Sequence, residues 1–473
     1  MKFNIKCGRR AFAVVMLCAL VMTSCSKTSN EAVMLATVPA KSECVVMVDF
    51  AQVLKRAGCT VNEGSIELTP AVRRLLGSGD DATGLAAAIH DAPLAVDLEN
   101  VIMFTTSPNM QNLMVTLPVK DAAMLVAALE SHQAQDMTEK DGVTYCRLGD
   151  MAVAVGERQA WMAESKLSTL MSKVAEFTSM DSEESLESLA GISEYLGGSQ
   201  AVRVAVNAQM AALPGAKVDT WGCASVDIQQ QVIGLHCTIM QGDGSQVSVT
   251  GDLQDISTDF LRYVPGSFIS AAAVGIRPDV DWGSVAGMAT MIIGYQAGGM
   301  INNIMPYLKS IDGTVAVAAG PAGGAPAIAD VNLKTWDFLA MVHMSQAKVD
   351  EAIGLLGFYM QNMGKNYKKN DSMIQCDIED GVTVYAANLD GYLAVSNREF
   401  DSACNNSMED LFESRKGAFV LNVPADSEVV KAFGLPWGFD FNVQLTDNDL
   451  HARMSLNGTN ESVLKALIEA GRN

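Results

Sequence analysis

Cys25 follows Met22-Thr23-Ser24, and small residues directly ahead of a cysteine suit a thiol that takes a lipid. Before it stand a basic start, with Lys2, Lys6, Arg9 and Arg10, and an apolar run from Ala11 to Met22. That run is too short to span a bilayer as a mature helix and has the length of a signal-peptide core. The pattern predicts a signal over 1–24, cleavage before Cys25 and acylation of its thiol, with palmitate among the chains. Several chains hold where one alone is marginal. Cys18 does not qualify, because bulky Leu17 precedes it. No aspartate follows Cys25, so nothing there signals retention at the inner membrane. The expected location is the outer membrane, facing the periplasm.

The other reactive side chains make no recognisable centre. The five histidines, His90, His132, His236, His343 and His451, form neither H-x-x-x-H nor H-E-x-x-H, so a zinc-binding helix is not expected. No G-x-S-x-G elbow is present. Gly242-Asp243-Gly244-Ser245 reads as a turn, because no lysine follows to meet a phosphate. The acid clusters Asp80-Asp81, Asp181–Glu187 and Asp377–Asp380 lack the alternating ligand spacing of a calcium loop. Asp181–Glu187 suits a helix N-terminus, where acid is favoured. No catalytic, cofactor-binding or metal-binding residue is expected.

Composition narrows the partners. Cleavage before Cys25 leaves 449 of 473 residues, with 29 Lys and Arg against 54 Asp and Glu, a net charge of −25. Nucleic acid is excluded as a partner, since it calls for a basic footprint. The 27 methionines fill cores, and the 6% of aromatic residues gives little material for a sugar-stacking platform. Seven cysteines follow Cys25: Cys44, Cys59, Cys146, Cys223, Cys237, Cys376 and Cys404. None is spaced as a metal pair. An oxidising compartment permits a Cys44–Cys59 bridge, and buried thiols are the other reading.

The elements that carry these residues recur. Val38-Pro39-Ala40 leads into an apolar strand, and so does Val264-Pro265-Gly266. Asp141-Gly142-Val143-Thr144-Tyr145 resembles Asp380-Gly381-Val382-Thr383-Val384-Tyr385. Trp221-Gly222 matches Trp437-Gly438, and Leu235-His236 matches Leu450-His451, all in one order along the chain. These matches predict an internal duplication. Helices are expected over 50–57, 121–130, 165–177, 282–291 and 346–358, with a helix-like link over 255–263 and a flexible turn over 318–327. Residues 286–304 read as buried helix broken at Gly298-Gly299. Strands joined by tight turns, with helices interspersed, indicate α+β: two similar halves, each an antiparallel-rich sheet with packed helices. The expected division is signal 1–24, lipid-anchored tether 25–37, first half 38–255 and second half 264–473.

Taken together, the chain resembles an uncharacterised family of Bacteroidales lipoproteins (domain of unknown function 4836). The resemblance rests on Cys25, on Val-Pro-Ala-Lys-Ser-Glu-Cys-Val-Val-Met-Val-Asp over 38–49, and on Leu54-Lys55-Arg56-Ala57-Gly58. It also draws on Ala95-Val96-Asp97-Leu98-Glu99-Asn100 and Leu308-Lys309-Ser310-Ile311-Asp312-Gly313. It implies an envelope location and a duplicated fold, with no reaction and no catalytic residues. The expected function is therefore a non-enzymatic binding or scaffolding module of the bacterial envelope. It is held to the lipid bilayer by acylated Cys25 and takes an unknown protein or glycan ligand. Two other classes stay open: a hydrolase of envelope glycans or peptides, and an inhibitor or chaperone of envelope proteins.

Overall fold

A computed structural model describes residues 34–62, 65–75, 88, 91–106, 113–209, 219–248, 250–282, 307–322, 332–362, 364–365, 367–370, 373–379, 381–401, 408–427, 430–431 and 435–470. The signal, Cys25, Asp80-Asp81, His90, nearly all of the helix expected over 282–291 and Cys404 lie outside these residues. The chain divides into two units, residues 1–247 with 460–473, and residues 248–459.

In the first unit the apolar run after Pro39 becomes strand β1 (Cys44–Val48). Asp49 then caps helix α1 (Phe50–Arg56) by accepting from Gln52 N. Gly58, at φ +84°, ends that turn in the left-handed region open to glycine. A small hairpin follows, β2 (Thr60–Asn62) with β3 (Ser65–Glu67), then α2 (Pro70–Leu75). Next come β4 (Val101–Thr105), β5 (Met114–Pro118) and α3 (Ala122–Ser131), which is capped by Asp121. The meander β6 (Gln135–Lys140), β7 (Val143–Leu148), β8 (Met151–Val155) and β9 (Gln159–Ala163) precedes α4 (Leu167–Thr178) and α5 (Ala190–Leu196). Strands β10 (Val202–Asn207), β11 (Thr220–Ile228) and β12 (Val232–Gln241) complete the set. The sheet runs β12-β11-β10-β1-β4-β5-β9-β8-β7-β6, with every pair antiparallel.

Both faces of this sheet are covered. Val101 and Met103 of β4 join one core with Leu54 of α1 and Leu125 and Leu129 of α3. Ile102 and Phe104 join another with Leu170, Val174 and Phe177 of α4 and Ile192 of α5. That is why β4, β5, β8 and β9 are buried at every position and lack a polar alternation.

In the second unit β13 (Leu253–Gln254) pairs with the end of β14 (Ser270–Ile276). The strands β15 (Ile311–Pro321), β16 (Trp336–Met344), β17 (Tyr367–Lys369), β18 (Met373–Glu379), β19 (Val382–Leu389) and β20 (Tyr392–Ser396) follow. Then come β21 (Gly417–Val423), β22 (Gly438–Leu445) and β23 (Asp449–Asn457). Helix α6 (Gln346–Asn362) lies between β16 and β17, and α7 (Glu409–Phe412) before β21. The order is β23-β22-β21-β14-β15-β16-β20-β19-β18-β17, again antiparallel throughout. Setting aside the β2–β3 hairpin and short β13, the two sheets follow one rule of order. Counted along the chain, the strands lie 10, 9, 8, 1, 2, 3, 7, 6, 5, 4 across each sheet. Finally α8 (Val463–Ala470) returns to the first unit, where Leu464 and Ile468 pack on the α1 side of its sheet.

The α+β class with antiparallel sheets and packed helices is what the chain forms. Several expected details differ. The tether expected over 25–37 ends early, because Met34, Leu35 and Val38 are buried among the α4 and α5 residues. The first unit ends at Val247, and residues 460–473 belong to it, not to the second half. Residues 318–321, expected in a turn, finish β15, where Pro321 ends the ladder opposite Trp336. Asp181–Glu187 starts no α-helix. It forms 3-10 turns at Ser182–Glu184 and Leu186–Ser188 with no side-chain cap. Asp141-Gly142 opens the fifth strand of the first sheet, while Gly381 leads into the sixth strand of the second. That resemblance therefore reflects shared turn chemistry and not equivalent places. The Trp-Gly and Leu-His matches fall on or directly before strands of equal rank, the ninth and the tenth.

Candidate functional site

Cys25, the one site residue expected from the sequence, lies nine residues ahead of Met34 and outside the described residues. His132 Nε2 stands 2.8 Å from Asp91 Oδ2 at the surface. His236 faces Ser225 across β11–β12, and His451 faces Gln444 across β22–β23. The cysteines Cys44, Cys59, Cys146, Cys223, Cys237 and Cys376 are all free thiols, so the Cys44–Cys59 bridge is not made.

Two constellations concentrate chemistry. The first joins segments far apart in sequence at the end of β1. Asp49 N donates to Ala201 O and Phe50 N to Leu98 O, which draws 49–50, 97–99 and 201–203 together. Asp97 is 1% exposed; its Oδ1 accepts from Glu99 N at 3.0 Å, and its Oδ2 is buried with no hydrogen-bond partner among the described residues. Arg203 is 2% exposed, lies opposite Met47, and donates from Nη1 to Gly198 O after α5. Burial pushes the Asp49 carboxyl up, while the hydrogen bond from Gln52 N and the charge of Arg203 pull it down. Burial raises Glu99 as well, helped by the charges of Asp97 and Asp49 and opposed by Lys120 and Lys55. The result is a half-buried cluster of charges of both signs where the chain segments 97–99 and 201–203 meet the start of α1. Sequence reasoning singled out 38–49 and 95–100 but missed Arg203. Its signal was a lone cation inside the apolar run Val-Arg-Val-Ala-Val.

The second constellation lies in the other unit. The ladder between β15 and β16 is irregular between Ile311 and Val315, and such bulges re-aim side chains. Here Asp312 Oδ1 meets His343 Nδ1 at 2.8 Å. A carboxylate only accepts, so the ring proton of this pair belongs on Nδ1. His343 stacks edge-on against Tyr392 at 5.0 Å between ring centres. Its Nε2 faces Gly391, where an added Cβ would come to 3.4 Å. Beside it Tyr263 donates to Asp390 at 2.7 Å, and Arg262 pairs with the same carboxylate at 3.0 Å. Burial and the hydrogen bond to Asp390 push the Tyr263 hydroxyl up to about 12. Burial raises Tyr392 too. An imidazole held at Nδ1 by a carboxylate can accept or deliver a proton at Nε2.

A surface cleft of about 220 Å³ lies where the chain entering β1 crosses the end of α4, lined by Pro39, Ala40, Lys41, Glu176, Met180 and Glu184. Ala40 N donates to Glu184 O at its base. Among the described residues no helix is long and apolar enough to cross a membrane.

No family model matches the chain, and no curated protein does either. Among solved structures, crystal form I of TP0453 aligns with 45% of this chain and 80% of its own, at 8% identity and a TM-score of 0.25. Crystal form III of TP0453 aligns with 46% and 82%, at 8% identity and a TM-score of 0.26.

Proposed function

We propose that the protein is a lipid-anchored lipoprotein of the bacterial envelope, a binding or scaffolding module built from two related lobes. The N-terminal pattern carries this reading: a basic start, the short apolar run 11–22, then Thr23-Ser24-Cys25. Met34, nine residues later, is buried. Nine residues reach at most about 30 Å when extended, so the first unit would lie close to the bilayer that holds the acyl chains. The outer membrane, with the protein facing the periplasm, is the expected site. The shared order of the two ten-strand sheets supports a duplication, as do Trp221 and Trp437 at or beside strands of equal rank. A lipid anchor and a duplicated fold are also what the resemblance to the Bacteroidales lipoproteins implies. The ligand would be a protein or a glycan.

The test is Cys25→Ser in cells fed labelled palmitate. The label should be absent from the variant, which should leave the outer-membrane fraction. A variant still processed and still sedimenting with that membrane overturns the reading.

A hydrolase is the second reading, and the Asp312–His343 pair favours it. His343→Ala and Asp312→Asn should then abolish release of product from a panel of envelope glycans and peptides. Unchanged turnover in both variants removes this site from consideration.

A further inference from the structure

The cleft of about 220 Å³ in the first unit has two walls. One belongs to the chain 37–42 that leads into β1, and the other to the run 176–184 that leaves α4. Both are pinned. Leu186 N donates to Val38 O at 2.7 Å, and Ala40 N to Glu184 O at 2.8 Å. Pro39 and Ser185 pair as a single β-bridge. Ser42, fully buried, donates from Oγ to Pro39 O at 2.7 Å, and Ser185 Oγ donates to Ser182 O at 2.8 Å. Backbone and short side chains therefore frame the cleft. The walls differ in charge. Lys41 is the one charged residue of 37–42, while 176–184 carries Glu176, Asp181, Glu183 and Glu184. That run also includes the end of α4, whose carbonyls add partial negative charge. Glu176 is taken by Lys173 at 3.0 Å. Lys41 and Glu184 both line the cleft, yet among the described residues neither side chain has an ion pair or a hydrogen bond. The rest of the lining is apolar: Pro39, Ala40 and Met180.

We propose that this cleft binds a free amino acid with an apolar side chain. The ligand's carboxylate meets Lys41, its ammonium meets the acidic wall at Glu184, and its side chain lies on Pro39 and Met180. Size sets the class. Drug-sized ligands occupy about 300–1,000 Å³, and a cleft of about 220 Å³ suits something smaller. Hydrogen bonds between charged groups are about twice as strong as neutral ones, so a zwitterion gains at both walls. A lone anion leaves Glu184 unanswered, and a lone cation leaves Lys41. Met180, unbranched and adaptable, accommodates apolar side chains of more than one shape. Two solvated surface charges need no ligand, but that use leaves the pinned apolar recess beside them unexplained. None of these residues belongs to the lipid anchor or to the Asp312–His343 pair, so the proposal goes beyond both readings and fails separately from them.

The full mature chain is made with Cys25→Ser and dialysed to equilibrium against labelled L-leucine. Two competitors each lack one charge: 4-methylpentanoate has no ammonium, and 3-methylbutylamine has no carboxylate. Saturable binding of leucine is expected, with each competitor weaker by about tenfold or more. Lys41→Gln should weaken leucine by a similar factor and erase its advantage over the amine. Glu184→Gln should do the same and erase its advantage over the acid. Both side chains are exposed, and circular dichroism checks that the variants keep the fold. The proposal is overturned if leucine does not bind at millimolar concentration, if either competitor binds as tightly as leucine, or if either variant binds leucine as tightly as the unsubstituted cleft.

Discussion

Asp312 and His343, 31 residues apart in sequence, meet at 2.8 Å because the β15–β16 ladder slips between Ile311 and Val315. Gly313 makes the approach possible. A Cβ there would sit 2.6 Å from His343 Nδ1 and 3.0 Å from His343 Cβ. The ring is held by Asp312 and packs edge-on against Tyr392, so moving it aside breaks both contacts. Gly313→Ala is expected to destabilise the protein by about 1–3 kcal/mol, the usual cost of overpacking. In a His343→Ala background the same change should cost less, since the ring atoms are gone and only the Cβ contact at 3.0 Å stays. Urea unfolding of the four proteins checks the coupling, and additive losses would contradict it.

Asp49 gives a pH dependence with a definite sign. Its carboxyl is raised above the ordinary 3.8 in the folded state, chiefly by burial. The folded form therefore holds the proton more tightly than the unfolded chain. Its contribution to stability is complete in acid and declines as pH climbs from about 3.8 through the raised value. Asp49→Asn keeps the cap on Gln52 N and removes the charge, so this part of the pH dependence should flatten. Asp49→Ala also loses the cap, at a further cost of about 1 kcal/mol. Unfolding midpoints across the acid range separate the two effects.

Arg203 is the cation of that cluster. Arg203→Met removes the buried cation whose charge pulls the Asp49 carboxyl down. A loss of about 3–5 kcal/mol is expected at neutral pH. The loss should shrink in acid, where Asp49 is protonated. A loss independent of pH would show that Arg203 acts through packing alone.

The matched Trp-Gly pairs should respond differently to one methyl group. At Gly222 an added Cβ meets nothing within 4 Å. At Gly438 it would lie 2.3 Å from Val423 O and 2.4 Å from Ala425 N. Gly222→Ala should change stability by less than about 0.5 kcal/mol, and Gly438→Ala should cost about 3 kcal/mol or more. Thermal unfolding of the two variants decides it.

Burial pushes the thiols of Cys44 and Cys146 up to about 11 and that of Cys223 up to about 12. The thiolate is the reactive form. All three should escape iodoacetamide at pH 8 in the folded protein and react after urea is added. Peptide mapping by mass spectrometry reads this out site by site.

Local structure was legible because its causes are local. Asp141-Gly142 and Asp390-Gly391 take positive φ at both residues, as a tight hairpin requires. Asp121 caps α3, and Leu170, Val174 and Phe177 line the buried face of α4, as their spacing predicts. The lipidation expected of Cys25 rests on its sequence neighbours alone. Strand partners are a different matter, because side-chain alternation does not say which strand lies next to which. Arg203 was missed in the sequence, because only the pairing of β10 with β1 brings its charge to Asp49. Helix α8 (Val463–Ala470) was not expected from the sequence, and packing on the α1 side of the sheet places it in the first unit. Val349 and Ile353 fill the contact of α6 with the sheet, and tertiary packing leaves Phe358 and Tyr359 in water. The chain's own periodicities and turn residues thus decided the elements. Long-range strand pairing and packing decided which charges meet and which apolar faces stay open.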